Sequence, residues 1–253
     1  MKRFLSFVLA ILITIGLLGY GVLSYTAEKN RAIPGPNAEA ALVSDDNVDV
    51  NFDDWLVMRP KNASPTRGVI VYAGANCDVR GYAEIMRSIA AEGYLVVGPT
   101  WLFNFSIIDV MLPTSKVDQI QAAYPDITDW VLIGHSMGGA TAGIYAHANP
   151  DKLDGVIFWD SYTPDTSSLA DSRLPVTNIF RATLEGEPPE KFQEMWHVYP
   201  PQTMHVPVRG GIHMYFGDFI GGPYKELWEP KISHAEQVSI VTAATLDGLD
   251  AMQ

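Results

Sequence analysis

Short apolar segments alternate with longer segments of helical spacing along most of this chain. The short segments are rich in β-branched residues, and most are apolar throughout, as in a parallel sheet covered by helices on both faces. They occupy residues 69–72, 94–97, 130–133, 155–159, 176–180 and 203–209. The helical segments occupy residues 82–92, 114–123, 137–147 and 233–250. This alternation predicts an α/β fold with an open, mostly parallel sheet. Segments 48–52 and 55–59 predict an antiparallel hairpin at its edge.

The N-terminal segment from Phe4 to Tyr25 is apolar and uncharged. As a helix it would reach roughly 33 Å, enough to cross a bilayer core. A cleavable signal peptide has a shorter apolar core of about 7–15 residues, so an uncleaved signal anchor is favoured over secretion after cleavage. A buried core helix is the third alternative. Lys2 and Arg3 predict a cytoplasmic N-terminus and an extracytoplasmic remainder.

Residues 32–37 (AIPGPN) predict a stiff linker, because proline and glycine disfavour a helix there. The predicted organisation is therefore a cytoplasmic tip, signal anchor and linker over residues 1–36, followed by one domain over residues 37–253. With 253 residues, 47% of them hydrophobic, the chain can bury the core of one sizeable domain.

Acidic residues outnumber basic ones, 29 to 17, for a formal net charge of −12. Such a surface repels polyanions and argues against nucleic acid as a partner. An anionic domain tethered to an anionic bilayer is expected to stand off it. The single cysteine, Cys77, cannot form an internal disulfide, and no cysteine–histidine array predicts a structural zinc site.

The segment Gly134-His135-Ser136-Met137-Gly138 stands between a predicted strand and a predicted helix. This is the setting of a G-x-S-x-G elbow, in which the serine occupies a strained turn and presents its hydroxyl at the end of the sheet. The flanking glycines avoid clashes in the tight turn, and the helix dipole favours negative charge nearby. The alternative is a helix start capped by serine, without catalytic function.

Four segments of the chain resemble the compact α/β-hydrolase family related to dienelactone hydrolases. They are residues 68–75 (GVIVYAGA), 93–97 (GYLVV), 130–140 (WVLIGHSMGGA) and 149–155 (NPDKLDG), with Tyr82 between the first two. The similarity covers most of residues 38–250 and implies the α/β-hydrolase fold and a serine nucleophile. Members of this family often carry one N-terminal anchor, and their motifs do not identify a substrate.

A serine nucleophile needs a histidine base, and in this fold the chain order is serine, acid, histidine. Of the six histidines, His213 follows the predicted strand 203–209 and a glycine turn, where the base is expected. Residues 211–219 also resemble the family's His-x-x-Phe-Gly segment. His213 is therefore the predicted base, whereas His135 is expected to pack beside the elbow.

The acid has two candidates. The resemblance places an aspartate in a Gly-Thr-x-Asp-Gly setting, where this chain reads ATLEG, so Glu185 takes the position and is favoured. Arg181 stands where the resemblance implies a small residue. Asp160, at the end of the strand 155–159, is the rival, since some related lipases supply the acid from that strand. A third alternative is that neither serves, with Glu185 in an ordinary acidic turn.

An oxyanion hole requires two backbone N–H groups. Met137 is expected to supply one and Ala75 the other, because Ala73-Gly74-Ala75 takes the place of the family's His-Gly-x. The aromatic segment around Trp101 and Phe103 is expected to rim an apolar substrate pocket beside the elbow. His135 is assigned to the same pocket.

These features together predict a membrane-anchored serine hydrolase that acts on a carboxylic ester, thioester or lactone. Ser136 is the nucleophile, the expected partner is a small-molecule ester or acyl substrate, and this chemistry requires no metal or organic cofactor. The alternative is an anchored α/β-hydrolase-like module that binds or scaffolds without catalysis.

Overall fold

The computed structural model describes residues 2–222 and 224–252. Its strands are β1 (Ala32–Pro34), β2 (Val48–Phe52), β3 (Leu56–Pro60), β4 (Arg67–Tyr72), β5 (Leu95–Gly98), β6 (Asp129–His135), β7 (Gly155–Trp159), β8 (Val176–Ala182), β9 (Met204–Arg209) and β10 (Phe219–Gly221). Its α-helices are α1 (Lys2–Lys29), α2 (Pro36–Ala41), α3 (Ala83–Ala91), α4 (Lys116–Ala123), α5 (Met137–Ala148), α6 (Glu190–Glu194) and α7 (His234–Asp250).

Eight strands form one sheet in the order β2-β3-β5-β4-β6-β7-β8-β9. The hairpin β2–β3 is antiparallel, as predicted, and β3 joins β5 in the same sense. Every other pairing in this sheet is parallel. Strands β5, β7 and β8 are buried at every position, which explains their continuous apolar sequences. The prediction of an open, mostly parallel α/β sheet is confirmed.

A hydrophobic core lies on each face of the sheet. Alternation along β4 sends Val69 and Val71 into one core and Ile70 and Tyr72 into the other. The first core contains buried residues of α3 and α7, and the second contains buried residues of α4 and α5. Helices therefore cover both faces, and the carboxyl ends of the parallel strands remain as the edge where loops can form a site.

The predicted linker is wrong in its first part. Residues 32–34 form β1, which pairs antiparallel with β10, and α2 begins at Pro36. Proline is favourable in the first turn of a helix, where its missing N–H costs no hydrogen bond. Ala32 is fully buried, and its N–H donates to the Asn76 carbonyl at 2.9 Å. The folded domain therefore begins at Ala32 rather than at residue 37.

The N-terminal segment forms the single helix α1. Residues Ser6–Lys29 are long and apolar enough to cross a membrane, by length and composition alone. The Tyr20 ring packs against the Phe103 ring at a centroid distance of 5.7 Å. The helix can serve as a membrane anchor or as a signal sequence, and its orientation stays a prediction.

Candidate active site

Ser136 lies in the sharp turn between β6 and α5, with φ 52° and ψ −122°. A positive φ is strained for any residue other than glycine and recurs at functional sites. Tight packing maintains the turn: a Cβ on Gly138 would lie 2.1 Å from the Tyr72 carbonyl oxygen, and one on Gly134 would lie 2.4 Å from the Gly138 carbonyl oxygen. The chain therefore has the backbone geometry expected of a nucleophile elbow.

His213 and Asp160 form a buried pair at the same edge of the sheet. The His213 Nδ1 lies 2.5 Å from the Asp160 Oδ2, and the two residues are 5% and 1% exposed. Asp160 directly follows β7 with φ 44°, and its Oδ1 accepts the Arg181 N–H at 3.0 Å. Ser136, Asp160 and His213 line one cavity of about 400 Å³. A carboxylate on Nδ1 leaves Nε2 as the nitrogen available to a nucleophile.

The favoured assignment of Glu185 as the acid needs correction. Glu185 is exposed on a turn after β8, and it is not among the residues that line the cavity. The turn is closed by hydrogen bonds from the Gly186 N–H to the Thr183 carbonyl and from the Thr183 N–H to the Glu187 carbonyl. The carboxylate in contact with the histidine is that of the rival candidate, Asp160.

Arg181 is a buried cation beside this pair that sequence reasoning noted without a function. Its Nη1 lies 3.1 Å from Asp160 Oδ2 and donates to the Tyr224 hydroxyl at 2.6 Å. Its guanidinium also stacks near the rings of Phe192 and Trp228. Arg181 is the one charged residue of the strand sequence VTNIFRA, and that signal could have identified it, because buried charges are usually paired.

The backbone of the His213 turn is held by Glu226, a residue that the sequence analysis missed. Its two carboxylate oxygens accept the N–H groups of His213 and Met214 at 3.0 and 2.8 Å. The ring of Tyr224 packs on the imidazole at a centroid distance of 4.1 Å. No sequence pattern predicts these contacts, because Glu226 lies in an irregular segment after β10.

His135 packs beside the elbow, as expected, but it is not a pocket residue. It is fully buried, with Nε2 3.2 Å from the His213 carbonyl oxygen and Nδ1 2.7 Å from the Tyr82 hydroxyl. Since Nε2–H must donate to the carbonyl, Nδ1 accepts from Tyr82. The Tyr82 oxygen in turn accepts the Gly74 N–H at 3.0 Å. Burial and the neighbouring His213 hold the pKa of His135 well below its usual value, so it stays neutral.

The backbone N–H groups of Met137 and Ala75 are the predicted oxyanion donors. Met137 is the first residue of α5 and borders the cavity, and neither N–H has an acceptor within the part of the chain that the structure describes. A Cβ on Gly74 would lie 3.3 Å from the Ser136 Cβ, so the loop that carries Ala75 lies against the elbow. Ala75 itself does not line the cavity. Asn76 is not free to serve, because its N–H donates to the Asn104 carbonyl.

The predicted pocket residues Trp101 and Phe103 do not line the catalytic cavity. Trp101 packs edge-on against Tyr72 at 4.6 Å, and its indole N–H points to Asp109. Phe103 faces Tyr20 of α1. The segment folds against α5 and α1 instead of over the cavity, so the prediction of their pocket function is wrong. The apolar walls come from later parts of the chain, namely Tyr162, Phe192, Tyr224 and Leu227 together with Met137 and Ala140.

Cys77 offers no competing nucleophile. Burial raises the pKa of its thiol to about 12, so the reactive thiolate is not populated near neutral pH. Within residues 2–222 and 224–252, no group of three or more His, Cys, Asp or Glu side chains is placed to hold a metal ion.

Comparisons with known proteins agree with this architecture. A model of the alpha/beta hydrolase family matches residues 68–238. Among solved structures, a predicted CIB-like hydrolase from Thermoplasma acidophilum superposes with a TM-score of 0.55 at 16% identity, over 81% of this chain and 98% of that one. The esterase domain of a Rhodothermus marinus protein gives 0.54 at 15% identity, over 78% and 91%.

A soluble variant of monoglyceride lipase from Saccharomyces cerevisiae gives a TM-score of 0.54 at 10% identity, over 83% of this chain and 97% of that one. At these identities the structural likeness shows the fold alone. No curated protein sequence matches the chain.

Proposed function

Because the chain belongs to the alpha/beta hydrolase family, we propose that it is a serine hydrolase of carboxylic esters, with Ser136, His213 and Asp160 as its triad. The observation that carries this proposal is the buried His213–Asp160 pair, which lines the same cavity as the strained Ser136. Esterases and a lipase among the structural neighbours support hydrolysis as the class of reaction.

In the proposed reaction, the Ser136 hydroxyl attacks the carbonyl carbon while His213 Nε2 takes its proton. Asp160 keeps the other ring nitrogen protonated and stabilises the imidazolium that forms. The N–H groups of Met137 and Ala75 would bind the oxyanion. His213 then protonates the leaving alcohol, and water attacks the acyl-enzyme by the reverse proton path to release the acid and restore Ser136.

The cavity walls favour an apolar group next to the scissile bond, since Phe192, Tyr162 and Leu227 surround the space beside Ser136. Thioesters and lactones would use the same residues, because each presents a carbonyl carbon to the same nucleophile. An oxyanion hole and triad perform this chemistry without a cofactor.

We further propose that α1 is an uncleaved signal anchor and that the hydrolase domain is extracytoplasmic. Support comes from the length of α1 and from the two cationic residues at its start. Protease added to intact cells should then degrade the domain. An uncut domain in intact cells that is cut after lysis would show the opposite orientation.

A fluorophosphonate probe tests the nucleophile, because it labels only activated serines. We expect labelling of the wild type and of Ser88→Ala, which removes a hydroxyl from α3 that does not line the cavity, and none of Ser136→Ala. Circular dichroism confirms that each variant is folded. Folded but unlabelled wild type would favour the non-catalytic binding module, and persistent labelling of Ser136→Ala would assign the nucleophile elsewhere.

A further inference from the structure

The helix α1 joins the catalytic domain without a spacer. Only two residues separate its end at Lys29 from β1 at Ala32. Arg31 pairs with the buried carboxylate of Asp78 at 2.7 Å. The Ala32 carbonyl accepts the Asp78 N–H at 3.0 Å, so Asp78 contacts both the side chain of Arg31 and the backbone of Ala32. The residues that link α1 to β1 are therefore bonded to the domain itself.

This junction is bonded to two segments that are neighbours in sequence of residues in the proposed site. On one side, the Ala32 N–H donates to the carbonyl of Asn76, the neighbour of the proposed oxyanion residue Ala75. On the other side, β1 pairs with β10, and the chain continues from β10 to Tyr224 and Glu226. Tyr224 packs on the His213 ring, and Glu226 accepts the His213 N–H. The carboxyl edge of the sheet, which holds the cavity, thus lies next to the helix end.

An exposed apolar segment lies beside α1 at this same edge. Residues 101–112 expose Leu102, Val110 and Met111 by 56%, 46% and 78%, while Phe103 packs on Tyr20. Tyr20 precedes the last residue of α1 by nine positions, which is roughly 13 Å of helix. Phe103 therefore lies alongside the helix and not beyond its end, and the chain continues from it to the exposed Val110 and Met111.

The length of a bilayer span places this contact at the membrane surface. A span of about 20 residues that begins at Phe4, just after the N-terminal charges, would end near Leu23, so Tyr20 lies in the last turn of that span. Tyrosine and other aromatic side chains are enriched at that interface. The exposed apolar side chains of residues 101–112 would then meet the outer boundary of the hydrocarbon core.

We propose that residues 101–112 rest on the bilayer that α1 spans, and that the enzyme takes its substrate, an ester of an uncharged or zwitterionic amphiphilic lipid, from that bilayer. This inference rests on the proposed function and on α1 as an anchor. The net charge of −12 disfavours anionic lipid headgroups, so burial of apolar side chains must supply the contact. The apolar walls near Ser136, including Phe192 and Leu227, suit a lipid acyl chain.

The contact of residues 101–112 with the bilayer can be measured without an activity assay. The environment-sensitive fluorophore NBD is attached to Met111→Cys in the full-length protein in phosphatidylcholine vesicles; buried Cys77 does not compete for label. The matched control is Val43→Cys, because Val43 is 67% exposed and follows α2, outside the segment of residues 101–112. We expect a blue-shifted emission at position 111 only. Equal, water-like emission at both positions would overturn the proposed contact.

Substrate origin is tested by two esters offered to the same vesicles: a fluorogenic monoacylglycerol analogue within the bilayer and a water-soluble short-chain ester. The double variant Leu102→Ser/Met111→Ser should lose about tenfold or more of the rate on the membrane-borne ester, since two apolar anchors are removed. Its rate on the soluble ester should stay within about twofold of wild type, as should both rates of Val43→Ser.

The outcomes separate this inference from the proposed function. Equal rates of the double variant and the wild type on both esters, or hydrolysis of the soluble ester alone, would overturn the lipid substrate while leaving the serine hydrolase intact. If the wild type hydrolyses neither ester and resists the fluorophosphonate probe, the proposed function itself fails, and the lipid substrate fails with it.

Discussion

The ends of β6 and β7 both place a non-glycine residue at positive φ, but the two are held by different forces. Ser136 is held by close contact: glycines allow the turn to approach the Tyr72 carbonyl so closely that a Cβ would not fit. Asp160 is held by polar contacts from distant parts of the chain, with Arg181 of β8 and His213 as its partners. The elbow should therefore be sensitive to side-chain size, and the acid–base pair to charge.

The largest expected effect comes from removing the charge of the acid while keeping its size. Asp160→Asn should lower kcat by about 10³–10⁴-fold, because His213 would lose the group that fixes its tautomer. Glu185→Gln should leave kcat within about twofold, since Glu185 is exposed outside the cavity. Steady-state hydrolysis of a p-nitrophenyl ester measures both. A large loss in Glu185→Gln and none in Asp160→Asn would restore the assignment that the sequence favoured.

The size dependence of the elbow is tested by Gly138→Ala. The new Cβ would press on the Tyr72 and Ala73 carbonyl oxygens, which belong to the backbone and cannot rotate away. We expect the free energy of unfolding to fall by about 3 kcal/mol, measured by urea titration in detergent.

Gly93→Ala is the control for this variant. It has a φ of 98° but nothing within 4 Å of the added Cβ, so it should cost only backbone strain of about 1 kcal/mol. Equal losses in the two variants would mean that strain, and not close packing, dominates at the elbow.

A smaller effect is expected when the contact between Glu226 and the His213 turn is weakened. Glu226→Gln leaves one oxygen to accept two N–H groups, so the imidazole should lose its exact placement. We expect kcat to fall by roughly tenfold with KM nearly unchanged. Glu229→Gln, in the same segment but exposed, should behave as wild type. An unchanged kcat in Glu226→Gln would show that the turn holds its position without the carboxylate.

The smallest effect concerns a second histidine–aspartate pair, His197 with Asp165, which is exposed. The Asp165 carboxylate and the Glu194 carbonyl raise the pKa of His197 above its usual value. A raised pKa means that the protonated form stabilises the fold at low pH and that this contribution disappears as pH rises through the folded-state pKa.

His197→Gln should therefore lower Tm slightly at about pH 5.5, have no effect at about pH 8.5, and leave kcat unchanged at both. Thermal scans at the two values measure this. A loss of Tm only at the higher value would reverse the assigned sign.

Prediction from the sequence was successful where neighbouring residues determine the structure. Continuous apolar runs located the parallel strands, and the glycine spacing around Ser136 located the elbow. Helical spacing over residues 233–250 likewise located α7. Prediction failed for residues 32–34, because pairing with β10 outweighed the local preference of proline and glycine for a linker.

The predictions of the pocket residues and of the acid failed for a related reason. Trp101 and Phe103 precede the elbow in sequence as potential pocket aromatics, but packing on Tyr72 and Tyr20 turns them away from the cavity. Glu226 reaches His213 from 13 positions further along the chain in an irregular segment. Contacts of this kind carry no periodic or motif signal that a sequence could show.

The amino-acid sequence by itself determined the layered α/β sheet, the strained serine turn and the apolar N-terminal helix, because each leaves a local pattern in the chain: alternating apolar and helical segments, the glycine spacing around Ser136, and an uncharged apolar run. Tertiary structure alone decided which carboxylate meets His213, what lines the cavity and how tightly α1 is joined to the catalytic edge. Those outcomes depend on the relative positions of strand ends and loops, which are set only when distant segments pack together.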